Sequence, residues 1–519
     1  MPKPVQASTY TFRNLIEGGF LYIDKTRYLY NLVQPASGLY FLARPRRFGK
    51  SLLLSTLEEI FLGNRDLFAD LWIAQSDYNW QAYPVIRYDF SSNSVDSAAN
   101  LERLLDYYTA KVAQSYGVTL RGFDYQSNFQ ELIEQVGQTQ KVVILIDEYD
   151  KPLIDNLHNL AEAIKLREVL KKFYGVIKAM DRHLRFVFIT GISKFSKVGV
   201  FSALNNLSDL TMNPHFATML GITEQEMVDD LQEHLIALAA KEQLTPEGML
   251  DKVRHWYNGF CFVEECPNVY NPFSTLQLFF QQRFANYWFD SGTPTFLIKL
   301  LKDKHYDVEQ LNDLRVRELA FSTYEIESLS IVPLLFQTGY LTIKDYEPAR
   351  RVYRLAYPNA EVEDAFLSYL LGAFSERDRG LNEDYLWQLV DAIEAQKLTD
   401  FFAILQVFFA NVPYTIQLKH EKYYQTIFYL IFKLLGLRIE AEVHTNQGRI
   451  DAVVETADHI FLFEFKLDQT ADDALGQIKT NAYYQKYRNK EKALTLVGAN
   501  FDSTLRQITA WKTAPAPSP

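Results

Sequence analysis

The stretch Phe41-Leu-Ala-Arg-Pro-Arg-Arg-Phe-Gly-Lys-Ser-Leu-Leu-Leu54 constrains the fold more than any other part of the chain. Leu39 to Ala43 is an apolar run of strand length, and an apolar helical pattern opens at Gly49-Lys50-Ser51. A strand that turns into a helix at Gly-Lys-Ser gathers backbone N–H groups and the positive end of a helix dipole around one point. Phosphate oxygens bind such a point; Lys50 adds charge, and the Ser51 hydroxyl can ligate Mg²⁺. The motif G-x-x-x-x-G-K-[ST] puts its first glycine at position 44, where this chain has Arg44 followed by Pro45. An arginine there resists positive φ and is bulky where backbone must approach phosphate.

The strands that follow supply the partners such a loop needs. Pro84 to Phe90 reads as a second strand and Ser97 to Gln114 as a helix. Lys141-Val-Val-Ile-Leu-Ile-Asp-Glu148 is a continuous apolar run ending in two acids, the pattern of a parallel strand buried on both faces. At its end Asp147 can hold Mg²⁺ and Glu148 can orient or deprotonate an attacking water. A helix is expected from about Leu160 to Met180, then a strand from Leu184 to Thr190 that ends in Gly191-Ile-Ser-Lys194. Strands alternating with helices predict a doubly wound parallel sheet with ligands at the strands' carboxyl ends.

These segments carry a resemblance. Tyr22-Ile-Asp-Lys25, Arg44-Pro-Arg-Arg-Phe-Gly-Lys-Ser51, Ile146-Asp-Glu-Tyr-Asp150, Thr190-Gly-Ile-Ser-Lys194 and Tyr257-Asn-Gly-Phe260 resemble the signatures of bacterial AAA-ATPase-like proteins over residues 5–285. The resemblance implies a P-loop parallel-sheet core that uses ATP and Mg²⁺. Gly49, Lys50 and Ser51 would bind phosphate and metal, Asp147 the metal, and Glu148 the water. It makes Asp150 and Lys194 candidate sensor groups. Arg46 and Arg47 are placed to touch phosphate or to act across a subunit boundary in a homo-oligomer, and that alternative stays open.

The last quarter carries a second pattern. Gly448-Arg-Ile-Asp451 and Phe463-Glu464-Phe-Lys466 lie on what read as adjacent hairpin strands, and alternation places Glu464 and Lys466 on one face. A charged pair inside the apolar run Ile460 to Leu467 is expected to be paired or to ligate metal. With Asp451 on the same face, two carboxylates could grip Mg²⁺ while Lys466 lowers the pKa of a bound water, which is the set that phosphodiester cleavage needs. Glu421 could add a third carboxylate, and Gln477 follows on the next helix. The order Glu421, Asp451, Glu464-x-Lys466, Gln477 resembles the PD-(D/E)XK nuclease superfamily over residues 413–510, with Ile450 where the naming proline would stand. Lys479, Lys486, Arg488, Lys490 and Lys492 form a local basic face suited to a nucleic-acid backbone.

The expected architecture is therefore α/β: a P-loop ATPase core over 1–220, a helical lid over 221–285, a mostly helical connector over 286–412, and an α+β restriction-endonuclease-like domain over 413–512. A disordered tail is expected over 513–519. A net charge of −11 across 519 residues excludes whole-molecule attraction to nucleic acid, so any polyanion must meet a local patch. Two cysteines, Cys261 and Cys266, suit a reducing cytoplasm and complete no zinc motif. Residues 1–12 lack the apolar core of a signal peptide, and runs such as Phe401 to Val412 are too short to span a bilayer. The expected protein is a cytoplasmic ATPase fused to a metal-dependent nuclease, with nucleic acid, DNA ahead of RNA, as partner. A nucleotide-switched scaffold with slow turnover is the alternative, motivated by the missing first glycine.

Overall fold

The computed structural model describes residues 2–194, 204, 206–289, 295–304, 306–321, 330–412, 421–438, 443–445 and 450–517. Within these, the side chains of 295, 296, 303, 319, 421–425, 438, 443–445, 450, 451 and 483 lie outside the description. Two compact units emerge, one comprising Met1–Phe296 with Asp313–Val362 and the other Leu297–Asn312 with Glu363–Pro519.

In the first unit, β1 (Gly38–Ala43), β2 (Val85–Asp89), β3 (Val142–Asp147), β4 (Leu184–Gly191) and β5 (Ser208–Asp209) form one sheet in the order β2-β3-β4-β1-β5. All its pairings are parallel. Every residue of β3 and β4 is buried because helices cover both faces, which is why their sequences are apolar without alternation. One face packs Leu42, Val143 and Phe186 against Leu54, Leu57 and Phe61 of the helix Lys50–Phe61. On the other, Tyr88 meets Phe129 and Phe173, from the helices Tyr125–Val136 and Leu160–Ala179, at ring-centroid distances of 5.3 and 5.1 Å. Each such side chain contributes roughly 1.5–3 kcal/mol of burial. The order sets β4 between the strand that enters the phosphate loop and the strand that ends in Asp147.

The helices Glu224–Asp230, Gln232–Lys241, Pro246–Tyr257 and Pro272–Gln281, expected as a lid, follow β6 (Ile222–Thr223), which pairs antiparallel with β7 (Val269–Tyr270). Gly259 in the Tyr257-Asn-Gly-Phe260 turn has φ +106°, and a Cβ there would lie 2.1 Å from the Pro358 carbonyl oxygen, so no other residue fits. The expected connector does not form a unit of its own. Its strands β8 (Leu314–Arg317), β9 (Thr342–Glu347) and β10 (Val352–Ala356) belong with the first unit. Polar contacts explain it: Asn359 Nδ2 donates to Asn258 O at 2.9 Å, and Cys261 N donates to Thr342 Oγ1 at 2.7 Å.

The later helices of that stretch belong with the second unit. Phe401 and Phe402 of the helix Leu398–Ala410 pack on Phe463 and Trp511, and Phe409 packs on Phe428 and Phe501. The apolar run Phe401 to Val412 is thus one side of that unit's core. Its sheet runs β11 (Val443–Thr445), β12 (Ile450–Glu455), β13 (His459–Leu467), β14 (Ala493–Asp502) and β15 (Gln507–Pro515). The pairings are antiparallel except β13 with β14, which is parallel and crossed over by the helix Ala471–Thr480. Gly498 on β14 admits that helix, since a Cβ there would meet the Ala471 carbonyl oxygen at 2.5 Å. The tail expected from Thr513 is partly ordered instead: β15 extends to Pro515, paired with Thr495, and the proline fits because β15 is an edge strand.

Candidate functional site

The phosphate loop is braced from within. Arg44 does not adopt positive φ; the left-handed residues of the loop are Arg47 (φ 64°) and Gly49 (φ 90°). The expectation that Arg44 would crowd the ligand is therefore corrected. Its guanidinium is buried and turned into the protein, donating to Ala43 O at 2.9 Å and Thr211 O at 2.7 Å, with its carbon 4.3 Å above the Phe262 ring. Lys50 Nζ donates to the carbonyls of Arg44 (3.0 Å) and Pro45 (2.8 Å) and is almost fully buried. Trp288 Nε1 holds the Arg46 carbonyl at 3.0 Å, and Gly339, at φ +89°, abuts Pro45 where a Cβ would come within 2.7 Å. Ser51 is the second residue of the helix Lys50–Phe61, where its hydroxyl belongs to the first turn.

The acids at and just beyond the end of β3 act on Lys50. Burial pushes the Lys50 ammonium down, while Glu148, Asp147 and Asp150 oppose that shift. Asp147 is fully buried; Thr190 Oγ1 donates to its Oδ1 at 2.7 Å, and its Oδ2 has no hydrogen-bond partner among the described residues. Glu148 sits at φ 51°, and burial raises its carboxyl against the pull of Lys50. Asp150 is a structural anchor: it accepts from Ile192 N at 3.1 Å, Ser193 N at 2.7 Å and Ser193 Oγ at 2.5 Å.

Two residues expected at this site point elsewhere. The Lys194 ammonium is committed to an ion pair with Asp209, and its N–H donates to Gln337 Oε1 at 2.8 Å. Arg47 stacks 4.4 Å over the Phe273 ring and donates to the Tyr10 hydroxyl. Arg46 lies close enough to Glu148 and Lys50 to act on both charges. Beside the loop, Tyr22, Ile23, Leu52, Leu53, Leu220 and Phe273 help line an apolar cavity of about 130 Å³ that reaches Gly49. Sequence reading missed Thr211, Trp288, Gln337 and Gly339, which belong to no motif and meet the loop only through the fold.

In the second unit the alternation along β13 sorts chemistry from packing. Phe463 and Phe465 face the helix Glu421–Arg438, with Phe465 5.6 Å from Phe432. Glu464 and Lys466 take the other face, where Lys466 Nζ donates to Glu464 Oε1 at 3.0 Å and to Gln477 Oε1. Glu464 is 1% exposed. Gln477 Nε2 is buried and has no hydrogen-bond partner among the described residues. The β12–β13 register sets Asp451 directly opposite Glu464, although the Asp451 and Glu421 side chains lie outside the described residues. Among described residues no group of three His, Cys, Asp or Glu side chains is placed to hold a metal. Part of the expected basic face is neutralised, since Lys490 and Lys492 pair with Glu455 at 2.5 and 2.9 Å. No helix of the described residues is long and apolar enough to cross a membrane.

Comparison with known proteins agrees with this division. The family model described as Predicted AAA-ATPase matches residues 6–201, and that of the PD-(D/E)XK nuclease superfamily matches residues 419–511. A protein of Azotobacter chroococcum mcd 1, described as "Uncharacterized protein in vnfD 5'region", is 36% identical over 514 residues, covering 96% of this chain and 97% of that one. The crystal structure of Cdc6p from Pyrobaculum aerophilum is similar at 8% identity and a TM-score of 0.24, over 66% of this chain and 90% of that one. The chain therefore belongs to the family of its Azotobacter relative and joins a predicted AAA-ATPase domain to a PD-(D/E)XK nuclease superfamily domain.

Proposed function

We propose that the protein binds and hydrolyses ATP in its first unit and, under nucleotide control, cleaves phosphodiester bonds of nucleic acid, DNA first, in its second. The observation that carries the reading is the pair of acid-and-lysine clusters, Lys50 with Asp147 and Glu148, and Lys466 with Glu464 and Gln477, in which Lys50, Asp147 and Glu464 are buried.

In the first unit, phosphate would exchange the Arg44 and Pro45 carbonyls for its own oxygens on Lys50, with the Gly49 backbone and Arg46 alongside. Ser51 and Asp147 Oδ2, which has no hydrogen-bond partner among the described residues, would hold Mg²⁺, which offsets the charge of the transferring phosphoryl group. The raised carboxyl of Glu148 fits a base that takes a proton from the attacking water. The apolar cavity beside Gly49 suits the base of the nucleotide, with Arg47 and Phe273 at its wall. Lys194 would act only if nucleotide released it from Asp209.

In the second unit, Asp451, Glu464 and Glu421 would hold Mg²⁺, which activates water and screens the scissile phosphate. Lys466 would steady the hydroxide, and Gln477 fixes Lys466. A cytoplasmic location and a homo-oligomer belong to the same reading. The test is Mg²⁺-dependent cleavage of plasmid or single strands by the wild type, absent in Asp451→Ala and Lys466→Ala, with ATP hydrolysis absent in Lys50→Ala and Glu148→Gln. No cleavage by wild type on any substrate would refute the nuclease half, and no nucleotide binding the ATPase half. A nucleotide switch with slow turnover is favoured by one observation, that Lys50 is already satisfied by its own loop; tight binding without hydrolysis would select it.

A further inference from the structure

Trp288 reaches the phosphate loop with its side chain and is itself held by its backbone. Its N–H donates to Glu361 Oε1 at 2.8 Å, and the Ser274 hydroxyl donates to the same oxygen at 3.0 Å. Glu361 and Ser274 are both fully buried. Ser274 lies in the first turn of the helix Pro272–Gln281, where its N–H donates to Asn271 Oδ1 at 3.0 Å. Glu361 lies in the first turn of the helix Ala360–Ser375. That turn is fixed by Asn359, which accepts from Val362 N at 3.1 Å and donates to the Asn258 carbonyl at 2.9 Å. One carboxylate oxygen thus ties two helix starts to Trp288.

The indole is seated by packing. Its ring lies 5.2 Å from that of Tyr340 and 6.3 Å from that of Phe260, and a Cβ on Gly339 would come within 3.3 Å of it. From that seat Nε1 donates to the Arg46 carbonyl at 3.0 Å. Arg46 follows Pro45, whose own carbonyl accepts from Lys50 at 2.8 Å. The bond between Arg46 and Arg47 is trans, so its C=O and N–H point opposite ways. With the carbonyl turned to Trp288, the Arg47 N–H is aimed to the other side of the loop. Arg47 is left-handed at φ 64°, and backbone N–H groups beside left-handed residues form the concavities that bind anions.

We propose that Glu361 is a positioning residue of the nucleotide site, which holds Trp288 so that Trp288 fixes the Arg46 carbonyl and aims the Arg47 N–H at phosphate. The proposal rests on the nucleotide reading, because phosphate is the ligand it serves. Without the Glu361 carboxylate, the Trp288 N–H and the Ser274 hydroxyl both lose a buried acceptor, and a buried donor left unpaired moves until it finds another. A hydrogen bond weakens steeply once its geometry is lost, so a shifted indole releases Arg46. The coupling runs both ways: a ligand that gains from a fixed loop also steadies the helix turn that fixes it.

The test uses the full-length protein: ATP titration of wild type, Trp288→Phe, Glu361→Ala and the double variant, with hydrogen exchange of the peptides spanning residues 41–54 and 356–362. Trp288→Phe and Glu361→Ala should each weaken ATP binding about fivefold, and the double variant no further, because both remove the same hold on Arg46. Two independent structural losses would multiply to about 25-fold, and that result would overturn the proposal. Glu361→Gln keeps an oxygen acceptor and should bind ATP as wild type does; weakening equal to that of Glu361→Ala would also overturn it. A second measurement needs no variant: in wild type, ATP should slow exchange over 356–362 as well as over 41–54, and protection confined to 41–54 would refute the coupling. Without nucleotide, Glu361→Ala should exchange faster than wild type across 41–54. Should it do so while wild type binds no ATP, the nucleotide reading fails and the hold of Glu361 on the loop stands.

Discussion

The two candidate sites are built in opposite ways. In the first unit the participants come from four segments, Lys50, Asp147 with Glu148, Thr190 and Thr211, and only the strand order brings them together. In the second, Glu464 and Lys466 are two residues apart on one strand, with Asp451 opposite on the neighbouring strand and Gln477 on the helix that follows. A site assembled from distant segments depends on bracing groups that never touch the ligand. A site on one hairpin depends on register, because a slip of one residue would send Glu464 to the phenylalanine face.

That contrast can be broken by substitution, and the largest effect belongs to the compact site. Lys466→Met should lower nuclease turnover by about 100-fold or more if, as proposed, this cation steadies the nucleophile. It should also lower stability by about 1–3 kcal/mol, because Glu464 keeps a buried charge without it. Plasmid cleavage and urea unfolding measure the two losses. Wild-type activity in this variant would show that the buried pair is only structural.

Next in size is the bracing of the phosphate loop. Arg44→Gly restores the glycine of the general motif, yet the structure predicts harm: the bonds to Ala43 and Thr211 and the stacking on Phe262 are lost. Unfolding free energy should drop by about 2 kcal/mol or more, and ATP affinity should fall with it. A variant that binds ATP more tightly and melts no lower would contradict the bracing. Trp288→Phe should act more gently, weakening ATP binding by a few fold through one lost hydrogen bond while the melting temperature hardly moves.

The smallest effect is a gain. Burial raises the Glu148 carboxyl above its ordinary value of 4.5, so the folded state holds that proton more tightly than the unfolded chain. Stability from this group is therefore full below about pH 4.5, declines as pH rises through the folded value, and stays reduced above it. Glu148→Gln removes the cost, and should raise the melting temperature slightly at pH 7 but not at pH 4 while abolishing ATP hydrolysis. Thermal scans at the two pH values measure it.

The contrast also explains what could be read from the chain. Apolar runs ending in acids announced β3 and β13, because burial on both faces leaves only the strand end, or an inward charged pair, for chemistry. The inward turn of Arg44 could not be read, since the same Arg-Pro sequence is compatible with a side chain toward phosphate or toward Phe262. Trp288 and Gly339 reach the loop from more than 200 residues away and leave no local pattern. The division of the connector followed from partners, not composition: Thr342 hydrogen-bonds to Cys261, whereas Phe402 stacks on Trp511 at 4.8 Å. β15 was hidden because its exposed positions and terminal prolines resemble a tail until β14 pairs with it.

The central claim is that a nucleotide site governs a metal-dependent nuclease site on one chain. The most direct measurement is plasmid cleavage in Mg²⁺ by wild type, Lys466→Met and Lys50→Ala, each with and without ATP. The account predicts ATP-responsive cleavage by wild type, none by Lys466→Met, and cleavage by Lys50→Ala that no longer responds to ATP. Equal cleavage by wild type with and without ATP, or undiminished cleavage by Lys466→Met, would contradict it.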